Sequence, residues 1–281
     1  MVELFKIVRW ELFKIFSKWR TYIGFITILV LTPLIMLLIR KFGWEFELDA
    51  ASSISDTFDY YGRAVNGLFI SYYLMNVLWV HFPFFVILVA GDIMAAEGAS
   101  GTYRMLLTRP VSRWQIVTGK YIATYLYTLA IVLFMGLVTI GIGMLVLGGG
   151  DLLVVGNGIT IFSQSEALGR FLVAYLVASV VQMTVGGLAF VFSTWTSNAV
   201  GPIIGSYAVI VVSYILALIK IDALKVVQPY LFVNYFNVFF SPFAYPLPWR
   251  YIGVQLTKLL IFVVVFYLIS LVSFVRKDIK T

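Results

Sequence analysis

Apolar residues along this chain arrive in long runs, separated by short breaks rich in charge, glycine or proline. Six runs stand out, at about 22–39, 68–91, 117–147, 169–193, 199–219 and 252–275. A helix crosses a bilayer with roughly 20 apolar residues, so this pattern predicts six transmembrane helices within one domain covering 1–281. The third run is longer than a crossing requires, which implies a tilt or a projecting end. Gly136, Gly141 and Gly143 punctuate it ahead of the loop at Gly148, Gly149 and Gly150.

The first 20 residues follow a different rule. Projected at 100° per residue, Leu4, Phe5, Val8, Leu12, Ile15, Phe16 and Trp19 fall within about a third of the helix circumference. Glu3, Lys6, Arg9, Glu11, Lys14, Ser17, Lys18 and Arg20 take most of the remainder. This predicts an interfacial helix over 1–20, its apolar face in the lipid boundary and its basic face toward anionic headgroups. With no unbroken apolar core and no small-residue cleavage site, a cleavable signal peptide is not expected. The segment 220–251 runs from Gln228-Pro229-Tyr230 to Pro246-Leu247-Pro248-Trp249. It is too broken to span and too apolar for a solvated loop, so it predicts short helices dipping back into the outer leaflet under a protein cover.

Composition sharpens the membrane reading. Of 281 residues, 62% are hydrophobic and only 12% charged, against about 25% charged in soluble domains; mean hydropathy is +0.99. The net charge of +7 sits at the ends of apolar runs, which is a topology signal rather than a nucleic-acid face. With the N-terminus inside, inner segments hold Lys6, Arg9, Lys14, Lys18, Arg20, Arg104, Arg109, Arg113, Lys120, Arg276, Lys277 and Lys280. They outnumber Arg40, Lys41, Arg63, Arg170, Lys220, Lys225 and Arg250 outside, while Glu45, Glu47, Asp49, Asp56 and Asp59 lean outward. The expectation is a multi-pass protein of a prokaryotic cell membrane with both termini in the cytoplasm.

Catalytic chemistry is scarce. The chain has no cysteine and one histidine, which excludes thiolate chemistry and a histidine-rich metal site. Gly119-Lys120 lacks the earlier glycine and the following hydroxyl of a P-loop, and no His-Glu-x-x-His or Gly-x-Ser-x-Gly occurs. The chain is therefore not expected to be an enzyme or to bind a metal or cofactor itself. Within the spans, His81 lies two residues before Pro83. It either faces a polar pathway or substrate, or bonds the carbonyl that the proline frees. Lys258 either snorkels to the outer surface or pairs with substrate. Gln182 and Thr184 suit interhelical hydrogen bonds. Ser197, Gly201, Gly205, Ser213 and Ala217 put small residues on one face of the fifth span, where backbones approach closely. Its neighbour is a helix of the same chain, a second subunit or a translocation path.

The loop at 92–116 carries the most specific pattern. Gly98 to Thr102 is a break with capping hydroxyls, Ser100 and Thr102. Tyr103 to Thr108 is long enough for about two helical turns before Pro110 stops them. Tyr103, Leu106 and Leu107 then give a short cytoplasmic helix with an apolar face that needs a bilayer surface or a protein partner.

Here Asp92, Glu97, Gly101-Thr102, Leu106-Leu107, Pro110, Arg113 and Gly119-Lys120 match D-x4-E-x3-G-T-x3-L-L-x2-P-x2-R-x5-G-K. In this pattern the chain resembles type-2 ATP-binding cassette (ABC) exporter permeases, membrane subunits that lack their own ATPase domain. The resemblance implies an all-α, type V exporter-like fold, with the N-terminal helix as a connecting helix and residues 102–109 as a coupling helix. Glu97, Gly101, Thr102, Tyr103, Arg104, Leu106, Leu107, Pro110 and Arg113 would couple to a separate ABC ATPase subunit carrying ATP and Mg. Trp10 and Phe13 would flank the same partner, and Asp92, Glu97, Arg104, Arg109 and Arg113 would form a charged hinge. It also implies two permeases with two ATPases, the second and fifth spans at the central interface, and His81, Gly201 and Gly205 at a pathway or interface. The exported substrate would be hydrophobic or amphipathic: a drug, peptide, lipid or similar. A secondary transporter or channel is the alternative, predicting a mid-bilayer acid or charge pair and inverted repeats; a non-transporting scaffold is another.

Overall fold

The computed structural model describes residues 2–42, 65–102, 111–155, 158–198, 200–219, 221 and 226–277. Helix α1 (Val2–Phe16) turns through Ser17 and Lys18 into α2 (Trp19–Phe42). Three shorter helices follow, α3 (Gly67–Trp79), α4 (Phe82–Ala90) and α5 (Asp92–Ala99), and then the long α6 (Arg113–Leu147). A hairpin of β1 (Leu152–Val155) and β2 (Ile159–Phe162) leads to α7 (Gln164–Trp195) and α8 (Val200–Leu218). Two 3-10 helices, Gln228–Tyr230 and Phe232–Phe243, precede α9 (Trp249–Val275).

Among the described residues, six helices are long and apolar enough to cross a membrane: α2, the stretch Phe82–Ala99, α6, α7, α8 and α9. The chain is thus an all-α multi-pass membrane protein apart from a short hairpin. Burial separates a centre from a rim. In α7, 78% of the most apolar window is inside the protein, against 22% in α2 and α8 and 17% in α9. Helix α7 is the central post, and the apolar outer faces of α2, α8 and α9 are left for lipid or a further protein.

The second run, predicted as one helix over 68–91, is broken twice and extends farther. Its first break is a turn at Val80 and His81, just ahead of Pro83, which lacks an N–H and favours the first turn of a new helix. Its second is at Gly91, where the side chain of Ser193 from α7 enters the backbone ladder. Met94 N and Ala95 N donate to Ser193 Oγ at 3.0 and 2.9 Å, and that hydroxyl donates to Gly91 O at 2.6 Å. A side chain inserted in this way is a recognised cause of helix bending. The helix then continues to Ala99, so Asp92 and Glu97 lie on a helix and not in a loop.

Gly67 and Gly143 mark a backbone-to-backbone crossing of α3 on α6. A Cβ on Gly67 would come within 2.3 Å of the Gly143 carbonyl. Asn66 holds this junction: its Oδ1 caps α3 by accepting from Leu68 N and Phe69 N, both at 3.0 Å, and its Nδ2 donates to Asp151 O at 2.6 Å. Ser71 Oγ donates to Thr139 O at 2.8 Å one turn on.

The hairpin, pairing Leu152 with Phe162 through Val155 with Ile159, was not anticipated. Four apolar residues after a glycine loop are too short to show a strand period. Beside it, Phe232–Phe243 fills the space between α7, α8 and α9. Phe239 stacks on Trp79 with ring centroids 3.7 Å apart, and Phe243 meets Tyr72 and Phe171 edge-on at 4.9 and 5.0 Å. Arg170, expected only as an outer topology charge, is 7% exposed. It donates to Pro242 O and Ala244 O at 2.6 and 2.8 Å, pairs with Glu166 at 2.8 Å and lies over the Phe162 ring. It thereby satisfies carbonyls that the 3-10 helix leaves open at its end. Lys258 is half-buried, and its Nζ sits over the Tyr235 ring, 4.7 Å from the centroid.

Candidate functional site

At the opposite end of the bundle from the hairpin, α1, α5 and the first turns of α6 enclose a group of charged side chains. Lys120 is 1% exposed and Glu11 is 4% exposed. Burial of two such groups is tolerable only when they are paired and further hydrogen-bonded. Lys120 Nζ lies 2.7 Å from Glu11 Oε2 and 2.8 Å from Glu97 Oε1, and it donates to Ile93 O at 3.3 Å. Lys14 closes the ring, 2.8 Å from Glu11 Oε1 and 2.7 Å from Glu97 Oε1. Next to it the buried carboxylate of Asp92 pairs with Lys18 at 2.6 Å and Arg20 at 2.9 Å. Three carboxylates and four cations thus tie the first helix, the turn into α2, the end of the second span and the third span together.

The local sequence explains how these side chains meet. A Cβ on Gly119 would come within 2.5 Å of Ile7 Cγ2, so a glycine there lets α1 lie close on α6. Lys120, the next residue, reaches the acid on that helix. The doublet supplies both the room and the charge. Helix α1 consequently turns Val8, Glu11 and Ile15 inward and leaves Phe5 exposed, as is Trp19 at the start of α2. This corrects the amphipathic projection, which put Glu11 on a headgroup face. The partner that draws Glu11 inward sits 109 residues away on α6, where no local period reveals it.

Helix α5 ends in a Schellman motif. Gly101 adopts φ +67°, Thr102 N donates to Glu97 O at 3.1 Å and Gly101 N to Gly98 O at 3.4 Å. No atom lies within 4 Å of a Cβ built on Gly101, so its identity answers to the left-handed backbone and not to crowding. Thr102 Oγ1 also donates to Glu97 O, at 3.3 Å. The Gly-Thr pair therefore stops the helix that carries Glu97.

Beneath this turn lies a cleft of about 600 Å³, lined by Lys14, Lys18, Arg20, Asp92, Glu97 and Thr102 among others. Burial lowers the tendency of Lys14 to stay charged, but the carboxylates of Glu11 and Glu97 outweigh it and raise its pKa above the ordinary 10.5. Among the described residues no group of three His, Cys, Asp or Glu is placed to hold a metal ion. The arrangement suits mechanical linkage: a displacement of α5 must carry α1 and α6 with it or separate buried charges.

Of the sequence-predicted residues, Glu97 is in the cluster, and Gly101 and Thr102 cap its helix. Tyr103, Arg104, Leu106, Leu107 and Pro110 lie outside the described residues, as does Arg109. Arg113 is near but points elsewhere, donating to Val275 O and Lys277 O at 2.9 and 3.0 Å at the end of α9. Trp10 and Phe13 are 64% and 66% exposed on α1. His81 is exposed at the α3–α4 turn and makes no side-chain cap there. The small-residue face of α8 is only partly buried, through Ser213. Pro202, Ser206, Ile210 and Ser213 are buried, while Gly201 is exposed and a Cβ on Gly205 would come within 3.3 Å of the Phe192 ring.

Sequence reasoning missed Glu11, Lys120 and Ser193 as site residues. Each is held by a partner distant in sequence, 109 residues for Glu11 with Lys120 and 102 for Ser193 with Gly91, so none has a local signal. Replacing Ser193 with alanine removes a shared acceptor from two buried N–H groups and should cost about 1–3 kcal/mol. Thermal melting in detergent checks this, and an unchanged Tm would contradict the bond's role.

The model of a family described as "Protein of unknown function (DUF2705)" matches residues 25–280. "Uncharacterized protein YhcI" of Bacillus subtilis (strain 168) is 31% identical over 121 residues. That stretch is 41% of this chain and 38% of the relative, so it spans less than half of either.

Proposed function

The chain belongs to the DUF2705 family, and from that premise we propose that it is the membrane subunit of an ABC exporter powered by a separate ATPase. One observation carries the reading. The cluster of buried Lys120 and Glu11 with half-buried Glu97 and exposed Lys14 adjoins in sequence the stretch 101–113, the segment whose motif resembles a coupling helix. A docked ATPase needs such a rigid root, because force applied to a loop is lost unless the loop pulls on spans.

In this reading the cluster end faces the cytoplasm of a prokaryotic cell and residues 102–109 dock on the ATPase. The exposed ridge of α3, α4 and α8, including Tyr73, Val77, Phe84, Ile204 and Val212, faces a second permease. The two nucleotide states of the ATPase hold the loops differently, and that difference in contact energy shifts the spans between inward and outward arrangements. Ser193, bonded across Gly91, gives the second span a defined pivot between the loop and the bilayer. The substrate class by resemblance is hydrophobic or amphipathic. A scaffold that only recruits a partner would not need a charged linkage running from the loop into the third span.

Because the chain has no cysteine, a single introduced one reports on contact. Thr102→Cys, treated with a thiol-to-amine cross-linker in membranes containing the cognate ATPase, should give an adduct of permease plus ATPase whose yield changes with ATP. Absence of that adduct, with the ATPase present and the cysteine reactive, would overturn the docking reading.

A further inference from the structure

The starting end of α6 and the finishing end of α9 lie side by side and frame a second, separate groove of about 550 Å³. Its lining divides by chemistry. Leu271, Val272 and Val275 form an apolar wall on α9, while Arg113, Trp114 and Arg276 surround the groove where the two helices end. Every charged residue among these lining residues is cationic. One turn deeper, the Thr118 and Tyr267 hydroxyls bond across the two helices at 2.7 Å and close the groove toward the bundle.

The neighbouring bonds hold this arrangement. Arg113 gives one nitrogen, NH1, to the carbonyls of Val275 and Lys277, which fixes the guanidinium at the groove. Lys277 reaches the other way, donating to Thr194 O at 2.9 Å, and Trp195 Nε1 donates to Ser273 Oγ at 3.0 Å. The end of α9 is thereby pinned to α7 on one side, and Arg276 remains on the groove side. Trp114 is 51% exposed, the position of an interfacial tryptophan at headgroup level.

We propose that this groove is a binding site for an anionic phospholipid of the leaflet on that side, its phosphate between Arg113 and Arg276 and an acyl chain along Leu271, Val272 and Val275. An apolar wall continuous with a lipid-facing helix, crowned by two guanidiniums and an amphipathic ring, matches a molecule with an acyl chain and a negative head. A soluble anion would leave the wall empty, and a zwitterionic lipid would bring its own cationic ammonium up against the two guanidiniums. The inference rests on the membrane reading alone and does not require the ATPase.

Native mass spectrometry of the full chain, released from mixed phosphatidylglycerol and phosphatidylcholine, tests it. The wild type should retain phosphatidylglycerol in preference. Arg276→Gln should reduce that retention about fivefold, the effect of one cationic contact near an anionic headgroup, and leave phosphatidylcholine unchanged. Val272→Trp, which fills the groove without touching the charges, should reduce phosphatidylglycerol retention as well. Excess inorganic phosphate should not displace the lipid. Equal retention of the two lipids, an Arg276→Gln protein indistinguishable from wild type, or displacement by phosphate alone would overturn the proposal.

Discussion

Lys120→Met should destabilise the folded protein by about 3–5 kcal/mol, the usual cost of removing one partner from a buried ion pair. The methionine fits the same channel, so the loss comes from charge. Glu11 and Glu97 would be left buried together with Lys14 as their shared cation. The double variants Lys120→Met with Glu11→Gln, and Lys120→Met with Glu97→Gln, should each recover part of the loss, since removing the orphaned charge removes its desolvation cost. Thermal melting of the four proteins in one detergent checks this. Equal melting of Lys120→Met and wild type would mean that the cluster contributes nothing to holding α1 on α6.

Leu106→Asp should act in the opposite way, leaving stability nearly untouched while removing partner binding. Leu106 lies outside the described residues, so this expectation rests on the exposed apolar face read from the sequence. A buried apolar anchor at an interface typically contributes about 2 kcal/mol or more, equivalent to roughly thirtyfold in affinity. ATPase captured on the purified chain should fall by that order, with melting shifted by no more than about 0.5 kcal/mol. Together the two variants separate the linkage from the docking face: one weakens the charged cluster, the other the proposed contact with the partner.

The six spans were legible because bilayer thickness imposes a length on apolar runs that survives in the sequence without any tertiary information. The breaks inside them were less so. Pro83 announced a change in the second span, yet the turn falls at Val80 and His81, and the second break depends on Ser193, 102 residues away from the Gly91 carbonyl it bonds. The same limit governed the cluster. Asp92 and Glu97 were visible as part of a spaced motif, and Gly119-Lys120 as its end, but nothing local tells that Lys120 is buried against an acid of α1. Reading it as a surface topology charge followed from its position near the end of an apolar run. Arg170 was misjudged for the same reason. In a membrane bundle, a basic residue at a helix end has two uses, marking the surface and satisfying carbonyls or acids inside, and sequence position does not separate them. The short hairpin and the long 3-10 helix depend on each other and on α7 for cover, so neither has a periodic signature of its own.

In the proposed reading this chain couples a partner's ATP hydrolysis to its spans through residues 102–109 and the charged cluster beside them. The most direct measurement co-expresses the chain with its cognate ABC ATPase, purifies the chain in lipid nanodiscs, and measures which ATPase accompanies it and how fast that complex turns over ATP. The expected result is a stoichiometric complex whose turnover falls sharply with Leu106→Asp and is altered by Lys120→Met. A chain that purifies without the ATPase, or a complex whose turnover ignores both substitutions, would contradict it.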